Sequence, residues 1–307
     1  MTSNLKNKSA VLALGGGGAR GVAHLGVIQK LRESEINIER YVGVSIGALA
    51  GALSAVDADS ARVQDRVVKY LTSEAFLSKQ AALFSTAPEA DEPATSGLFA
   101  WYHQIRKFIG ARRKLAALFG QPALLKPDVM TDIVDALIPD IDISDTVTPL
   151  SIVAIDLLSG RRVELKRGSL KDAVMASAAI PGVFPPVEMN GMLLCDIGMM
   201  DAIPARIARS YAQDLTIAVD VGASVEPIES CATAADLFLR LGDIGEPLVR
   251  EYTIGIADVV IRPDVARTPW YDFSDPEGLV ELGRVAATDA LQQFEGTQAV
   301  TTTSDRL

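Results

Sequence analysis

The sequence predicts a single α/β domain built on a mostly parallel sheet, and three observations support that prediction. Two strand-turn-helix units follow one another at the start of the chain, each with glycines at its turn. Short runs rich in Val, Ile and Leu recur at 149–157, 214–221 and 256–261, as strands buried on both faces do. No repeat at solenoid spacing and no low-complexity tract interrupts the 307 residues, 49% of them hydrophobic, so one core of ordinary size suffices.

Taken in order, residues 10–14 (AVLAL) read as a strand that ends in Gly15 to Gly18, and Val22 to Leu31 as the helix after it. A second strand, Arg40 to Val44, runs into Ser45 and the small-residue helix IGALAGALSAV. Residues 72–127 break this rhythm with Ser, Thr, Pro and aromatics and read as an inserted lid or interfacial segment. The strand PLSIVAIDL resumes the sheet, and the turn at Ser159-Gly160 pairs it with RRVELK. A helix from Leu170 to Ala179 is stopped by Pro181-Gly182. Asn190-Gly191 is a two-residue hairpin signal because both residues tolerate positive φ, and its second strand, MLLCD, leads to Asp196. Pro276 to Phe294 reads as a closing helix. The expected map is a tail at 1–9, one domain at 10–295 with the insertion at 72–127, and a polar tail at 296–307.

The net charge of −10 argues against nucleic acid as a bulk partner, because phosphate binding needs a basic surface. The charge is also segregated. Residues 93–127 carry six basic side chains (Arg106, Lys107, Arg112, Arg113, Lys114 and Lys126) and no acid, whereas the remainder carries 23 basic against 39 acidic residues. No apolar run approaches the roughly 18 residues that span a bilayer, and MTSNLKNKSAVLALGGGG lacks the apolar region of a signal peptide. The expected compartment is the cytoplasm, with peripheral contact at the inner membrane surface. Cys195 and Cys231 suggest reduced thiols rather than a disulfide framework. No acidic cluster has calcium-loop spacing, so neither a metal nor an organic cofactor is expected.

Two motifs carry chemistry. Gly43-Val44-Ser45-Ile46-Gly47 fits G-x-S-x-G between a strand and a helix, where a turn too tight for side chains two residues either side leaves the serine hydroxyl exposed at a helix N-terminus. Gly16 to Gly21 (GGGARG) ends the preceding strand and opens a helix, and its free N–H groups can approach a developing oxyanion. The same glycines satisfy the dinucleotide pattern G-x-G-x-x-G, with Glu39 near the expected ribose-binding acid. On those residues alone the two readings are even. The serine motif one unit later favours a hydrolase. The only histidines are His24, read as a helix-face packing residue, and His103, in the insertion. None follows residue 103, so the chain order Ser, acid, His of an α/β-hydrolase triad does not fit, and another base must serve Ser45.

Together these residues resemble the patatin-like phospholipase family: the loop GGGGARGVAHLGV, the elbow GVSIGA, the stretch SLKDAVMASAAIPGVFPPV, and CDIGMMDAIP where the family has Asp-Gly-Gly or Asp-Gly-Ala. The resemblance implies a three-layer α/β/α fold and a serine lipid acyl hydrolase with a Ser-Asp dyad. In it Ser45 is the nucleophile, Asp196 the base, and Gly16, Gly17 and Gly18 the oxyanion donors. Gly21, Gly43, Gly47 and Gly198 complete the motifs, and the substrate is a lipid or phospholipid ester. Such a base needs partial burial, because an aspartate in water, with a pKa of about 4, is too weak. The sequence departs from the family at Ile197, where glycine is expected. Either the backbone needs no positive φ there or the aspartate is displaced, and restoring glycine is expected to hold or raise turnover. Asp201 is a reserve acid, read as a helix cap before Pro204. Arg20 is read either as a ligand for an anionic head group or as an anchor of its loop through a carboxylate, and Ser177 as a core packing residue. The alternatives are a dinucleotide-binding protein and a catalytically weak, regulatory relative. Oligomeric state is left open.

Within the insertion, Leu98, Trp101, Ile105, Phe108, Leu115 and Phe119 fall near one helical face beside five basic residues. Each basic residue near an anionic membrane contributes about 1 kcal/mol, so segment 98–119 is expected to bind anionic lipid surfaces. Sedimentation with liposomes should show binding that rises with anionic lipid and weakens with salt. Replacing Arg106, Lys107, Arg112, Arg113 and Lys114 by glutamine should remove most of it, and unchanged binding would exclude the segment.

Overall fold

Alternation along the first strand sets the layers. In β1 (Ser9–Leu14), Ala10, Leu12 and Leu14 join one buried cluster while Val11 and Ala13 join another on the opposite face. A strand buried on both faces lies inside a sheet with helices above and below. A computed structural model, which describes residues 5–84, 128–228 and 230–304, shows that arrangement.

The order is β1, α1 (Ala23–Glu33), β2 (Asn37–Val44), α2 (Ile46–Val56), α3 (Ser60–Leu71), α4 (Glu74–Phe84) and α5 (Asp128–Leu137). Then follow β3 (Leu150–Asp156), β4 (Arg161–Leu165), α6 (Leu170–Ala178), β5 (Val187–Met189) and β6 (Met192–Cys195). The chain continues with α7 (Ala205–Arg209), β7 (Leu215–Val219), α8 (Ala234–Ile254), β8 (Val259–Ile261) and α9 (Pro276–Ser304). The sheet runs β5-β6-β3-β2-β1-β7-β8, with β4 also paired to β3. Its five strands from β3 to β8 are parallel, whereas β3 pairs β4 and β6 antiparallel. This is the three-layer, mostly parallel fold expected. Side chains of α1, α2, α3, α6 and α9 pack into the larger cluster, and Ala205 and Ala208 of α7 into the other.

The hairpin at Asn190-Gly191 forms as expected, with φ of 51° and 76°. The closing helix runs on to Ser304, past the expected start of a polar tail at 296. The insertion begins in helix, at α4, and α5 starts directly after it, while its remainder from 85 to 127, with segment 98–119 and His103, lies outside the described residues. Among the described residues no helix is long and apolar enough to cross a membrane.

Helices α1 and α9 approach closely because two glycines face each other's backbone. A Cβ on Gly26 would lie 1.8 Å from the Val280 carbonyl oxygen, and one on Gly283 would lie 1.9 Å from that of Ala23. Gly26→Ala and Gly283→Ala should therefore each force the helices apart and lower stability by about 1–3 kcal/mol, measured by urea denaturation. An unchanged midpoint would show that the contact yields freely.

Candidate active site

Because β2, β1 and β7 are parallel neighbours, their carboxyl ends converge on one edge of the sheet. That edge is where ligand sites of open α/β folds form. At the end of β2 the chain turns into α2 through Ser45, whose φ of 56° and ψ of −124° strain any residue with a side chain. The turn leaves no room beside it. A Cβ on Gly43 would meet the Gly47 carbonyl oxygen at 2.5 Å, and one on Gly47 would meet that of Leu14 at 2.2 Å. Ser45 N–H donates to Ser177 Oγ at 2.9 Å, and that hydroxyl donates to the Val153 carbonyl at 2.7 Å. Ser177 is fully buried, as expected, but it is tied to the elbow rather than serving packing alone.

Asp196 follows β6 and is held beside Ser45. Its N–H donates to the Ala179 carbonyl at 3.0 Å, its carboxylate accepts from Gly198 N–H at 2.7 Å, and it lines the same cavity as Ser45. Burial pushes the carboxyl up to about 6, with the neighbouring Ser45 hydroxyl and then the Gly198 N–H opposing. Asp201, read as a helix cap, instead pairs with Arg162, and the residue before α7 is Pro204.

The glycine loop after β1 is largely committed to the scaffold. Gly15 N–H donates to Val219 at 3.1 Å, Gly16 N–H to Ala202 at 3.0 Å and Ala19 N–H to Trp270 at 2.6 Å. Gly17 and Gly18 N–H have no acceptor among the described residues. Gly18 has a φ of +61° and lies under Trp270, whose carbonyl oxygen a Cβ would meet at 2.2 Å, so only glycine fits. Arg20, 4% exposed, anchors the loop through a carbonyl rather than a carboxylate, its Nε donating to Thr268 at 2.7 Å. Burial, then the charge of Arg250, pulls its pKa down to about 10. His24 is also more than a packing residue. Burial pulls it down to about 4, so the ring is neutral and Nε2–H donates to the Gly15 carbonyl at 2.8 Å. It fixes the loop and lines neither of the cavity lobes that include Ser45.

Two cavity lobes meet at Ser45. One carries Gly16 to Gly18, Arg20, Asp196, Asp243 and Glu246. The other, about 120 Å³, is apolar, walled by Leu25, Ile46, Leu49, Leu71, Phe76 and Phe273. Asp243 and Glu246 lie on α8, which the sequence reading passed over although Thr233 and Asp236 form its capping box. Its Gly242, Gly245 and Pro247 blur the helical pattern. Burial pushes Glu246 up to about 7, with Arg250 opposing. No cluster of three metal-ligating side chains occurs among the described residues.

The model of the family described as patatin-like phospholipase matches residues 12–209, from β1 through both Ser45 and Asp196 to α7. The chain belongs to the patatin-like phospholipase family. An uncharacterized NTE family protein of Mycobacterium tuberculosis is 33% identical over 215 residues, covering 69% of this chain and 49% of that protein. The mouse patatin-like phospholipase domain-containing protein 6 is 29% identical over 226 residues, covering 72% of this chain and 14% of its own length. This chain thus spans about half the length, or less, of these relatives. Among solved structures, VipD from Legionella pneumophila overlaps 95% of this chain and 67% of its own at 15% identity, with a TM-score of 0.47.

Family membership sets the context for the two departures weighed from sequence. Ile197 stands where patatin-like proteins have glycine, yet its φ is not positive and its side chain, 5% exposed, packs with Val44, Ala202 and Ile203. No strain is there for glycine to relieve. Glu39, the dinucleotide alternative's ribose acid, falls at the register irregularity of β2 between Ile38 and Arg40, four residues before Gly43 and so roughly 13 Å from the glycine loop. It cannot complete a nucleotide site.

The expectation that Ile197→Gly holds or raises turnover therefore narrows to its first half. The variant should lose about 2–5 kcal/mol of stability through the cavity it leaves, with no gain in turnover per folded molecule. A thermal melt alongside active-site titration checks both, and a rise in turnover would show that Ile197 limits catalysis.

Proposed function

We propose that this chain hydrolyses carboxylic ester bonds of lipids through an acyl-Ser45 intermediate, with Asp196 as the base. The observation that carries the reading is a strained serine at a helix N-terminus that shares a cavity with a buried carboxylate, where an apolar and a polar lobe meet.

The chemistry follows from the groups present. As Ser45 Oγ bonds to the ester carbonyl carbon, its proton passes to Asp196. The carbonyl oxygen, now negative, turns toward Gly17 and Gly18 N–H. Gly16, proposed from the motif as a third donor, shapes the loop instead, since its N–H is engaged by Ala202. Collapse of the tetrahedral intermediate breaks the bond to the alcohol oxygen, which takes the proton from Asp196. Water then attacks the acyl-serine with Asp196 again accepting a proton, and the fatty acid leaves as the proton returns to Ser45.

The apolar lobe suits an acyl chain, and the polar lobe suits the head-group side. There the terminal nitrogens of Arg20, which have no partner among the described residues, can meet a phosphate oxygen. Membrane contact through segment 98–119 remains part of this reading. The regulatory alternative rested on Ile197, whose backbone requires no glycine.

Ser45→Ala should abolish both hydrolysis and labelling by a fluorophosphonate ester. Residual turnover of a short-chain aryl ester by the alanine variant would remove Ser45 as nucleophile.

Because Asp196 must be ionised to act, kcat/KM should fall as pH drops below about 6. Asp196→Asn should lose on the order of 10²–10⁴-fold. Its folded pKa is raised from 3.8 to about 6, so stability from this group is present below pH 3.8 and lost as pH rises through 6. The buried charge then costs about 3 kcal/mol at most, and Asp196→Asn should melt higher than the parent at pH 8. An acid limb near pH 4, or a destabilised Asn variant, would contradict the assignment.

A further inference from the structure

The last turn of α6 touches both partners of the site at once. Ser177 is fully buried and accepts the Ser45 N–H at 2.9 Å, while Ala179, two residues on, accepts the Asp196 N–H at 3.0 Å. We infer that the segment Ser177 to Ala179 is a positioning clamp that sets the separation of Ser45 and Asp196, with the Ser177 hydroxyl as its adjustable element. The inference rests on the dyad proposed above.

Three features make a passive role insufficient. First, the bond falls on the one strained residue of the site, at φ 56° and ψ −124°, where an unsupported backbone relaxes toward commoner angles. Second, the hydroxyl is itself fixed, since it donates to Val153 in β3 at 2.7 Å. β3 pairs β2 through Val153 opposite Val44, so the clamp closes a ring from Ser45 through the sheet and back. A hydroxyl satisfied on both sides cannot rotate away without leaving Ser45 N–H, Val153 or both without this partner. Third, Ile180 follows directly and lines both cavity lobes at Ser45, so movement of this turn moves the wall against which substrate rests.

The clamp also divides labour among backbone donors. With its N–H bound to Ser177, Ser45 cannot offer that group to an oxyanion. The hydrogen bond holds Oγ in place, and the oxyanion is left to Gly17 and Gly18. Removing the hydroxyl should therefore affect the chemical step and not the binding of substrate. Small displacements of a reacting atom cost rate on the order of 10²-fold.

The test compares the parent, Ser177→Ala and Ser177→Thr by stopped-time labelling with a fluorophosphonate ester and by steady-state hydrolysis of an aryl ester. For Ser177→Ala the inference expects full labelling at the endpoint, a labelling rate and kcat reduced about tenfold to a hundredfold, and KM within about twofold of the parent. Ser177→Thr, which keeps the hydroxyl, should recover most of the rate. Parent-like rates in the alanine variant would overturn the clamp. So would a reduced endpoint with an unchanged rate for the labelled fraction, because that is loss of folded protein alone. Should the threonine variant not fold, the endpoint and rate of the alanine variant still decide. A parent enzyme that is itself unlabelled at Ser45 would instead remove the dyad, and the clamp with it.

Discussion

The arrangement depends on one steric constraint, the turn from β2 into α2. Because Cβ atoms at 43 or 47 would lie 2.5 Å or less from backbone oxygens, the helix can start immediately where the strand ends. That forces Ser45 into backbone angles that cost of order 1–3 kcal/mol. Such strain persists only when neighbours overdetermine it. Here they are the parallel pairing of β1, β2 and β3 below the turn and the Ser177 hydroxyl above it. In return the hydroxyl projects from the carboxyl edge of the sheet, where loops from β1 and β6 reach it.

What sequence could reveal follows from how local each cause is. The elbow, the glycine loop and the hairpin at Asn190-Gly191 are set by residues adjacent in the chain, so their glycines and small side chains announced them. The strands announced themselves through β-branched runs buried on both faces. Roles set by contacts distant in sequence could not be read that way. Ser177 sits 132 residues from the N–H it binds, and nothing about a serine between alanines shows that. Arg20 was weighed for a carboxylate partner because arginine usually finds one, yet tertiary packing placed the carbonyl of Thr268 there. Helix α8 was missed because two glycines and a proline obscure its period, although its capping box was present in the sequence. At Ile197 the family pattern suggested a backbone requirement, whereas the conformation adopted imposes none.

The loop after β1 shows how a glycine-rich sequence can be rigid. Its glycines lack side chains so that neighbouring backbone can approach, not so that the loop can move. Gly15 and Gly16 donate to Val219 and Ala202, while the Gly15 carbonyl accepts from His24. A neutral histidine suits that place, since a charged one buried beside the loop would carry a large desolvation cost, which is why its pKa is pulled down to about 4. With its neighbours tied, the donors of Gly17 and Gly18 are oriented before any substrate arrives. Such preorganised dipoles stabilise developing charge because no reorganisation is needed during reaction.

The absence of a histidine after residue 103 determines how the rest must be built. A triad divides the work: imidazole carries the proton and the carboxylate orients it. In the dyad we propose, the carboxylate accepts the serine proton directly, and at its ordinary pKa it is a poor base. Burial moves Asp196 up to about 6, closer to neutrality, but the same burial makes its ionised form unfavourable in the fold. The neighbouring Ser45 hydroxyl and the Gly198 N–H limit that shift so that the group stays largely ionised at neutral pH. Additional donors would stabilise the carboxylate and weaken it as a base, while fewer would leave it protonated. The site is thus balanced between basicity and charge. That balance holds only if the separation of Ser45 and Asp196 is fixed, and the last turn of α6, bonded to the backbone of both, is where the fold fixes it.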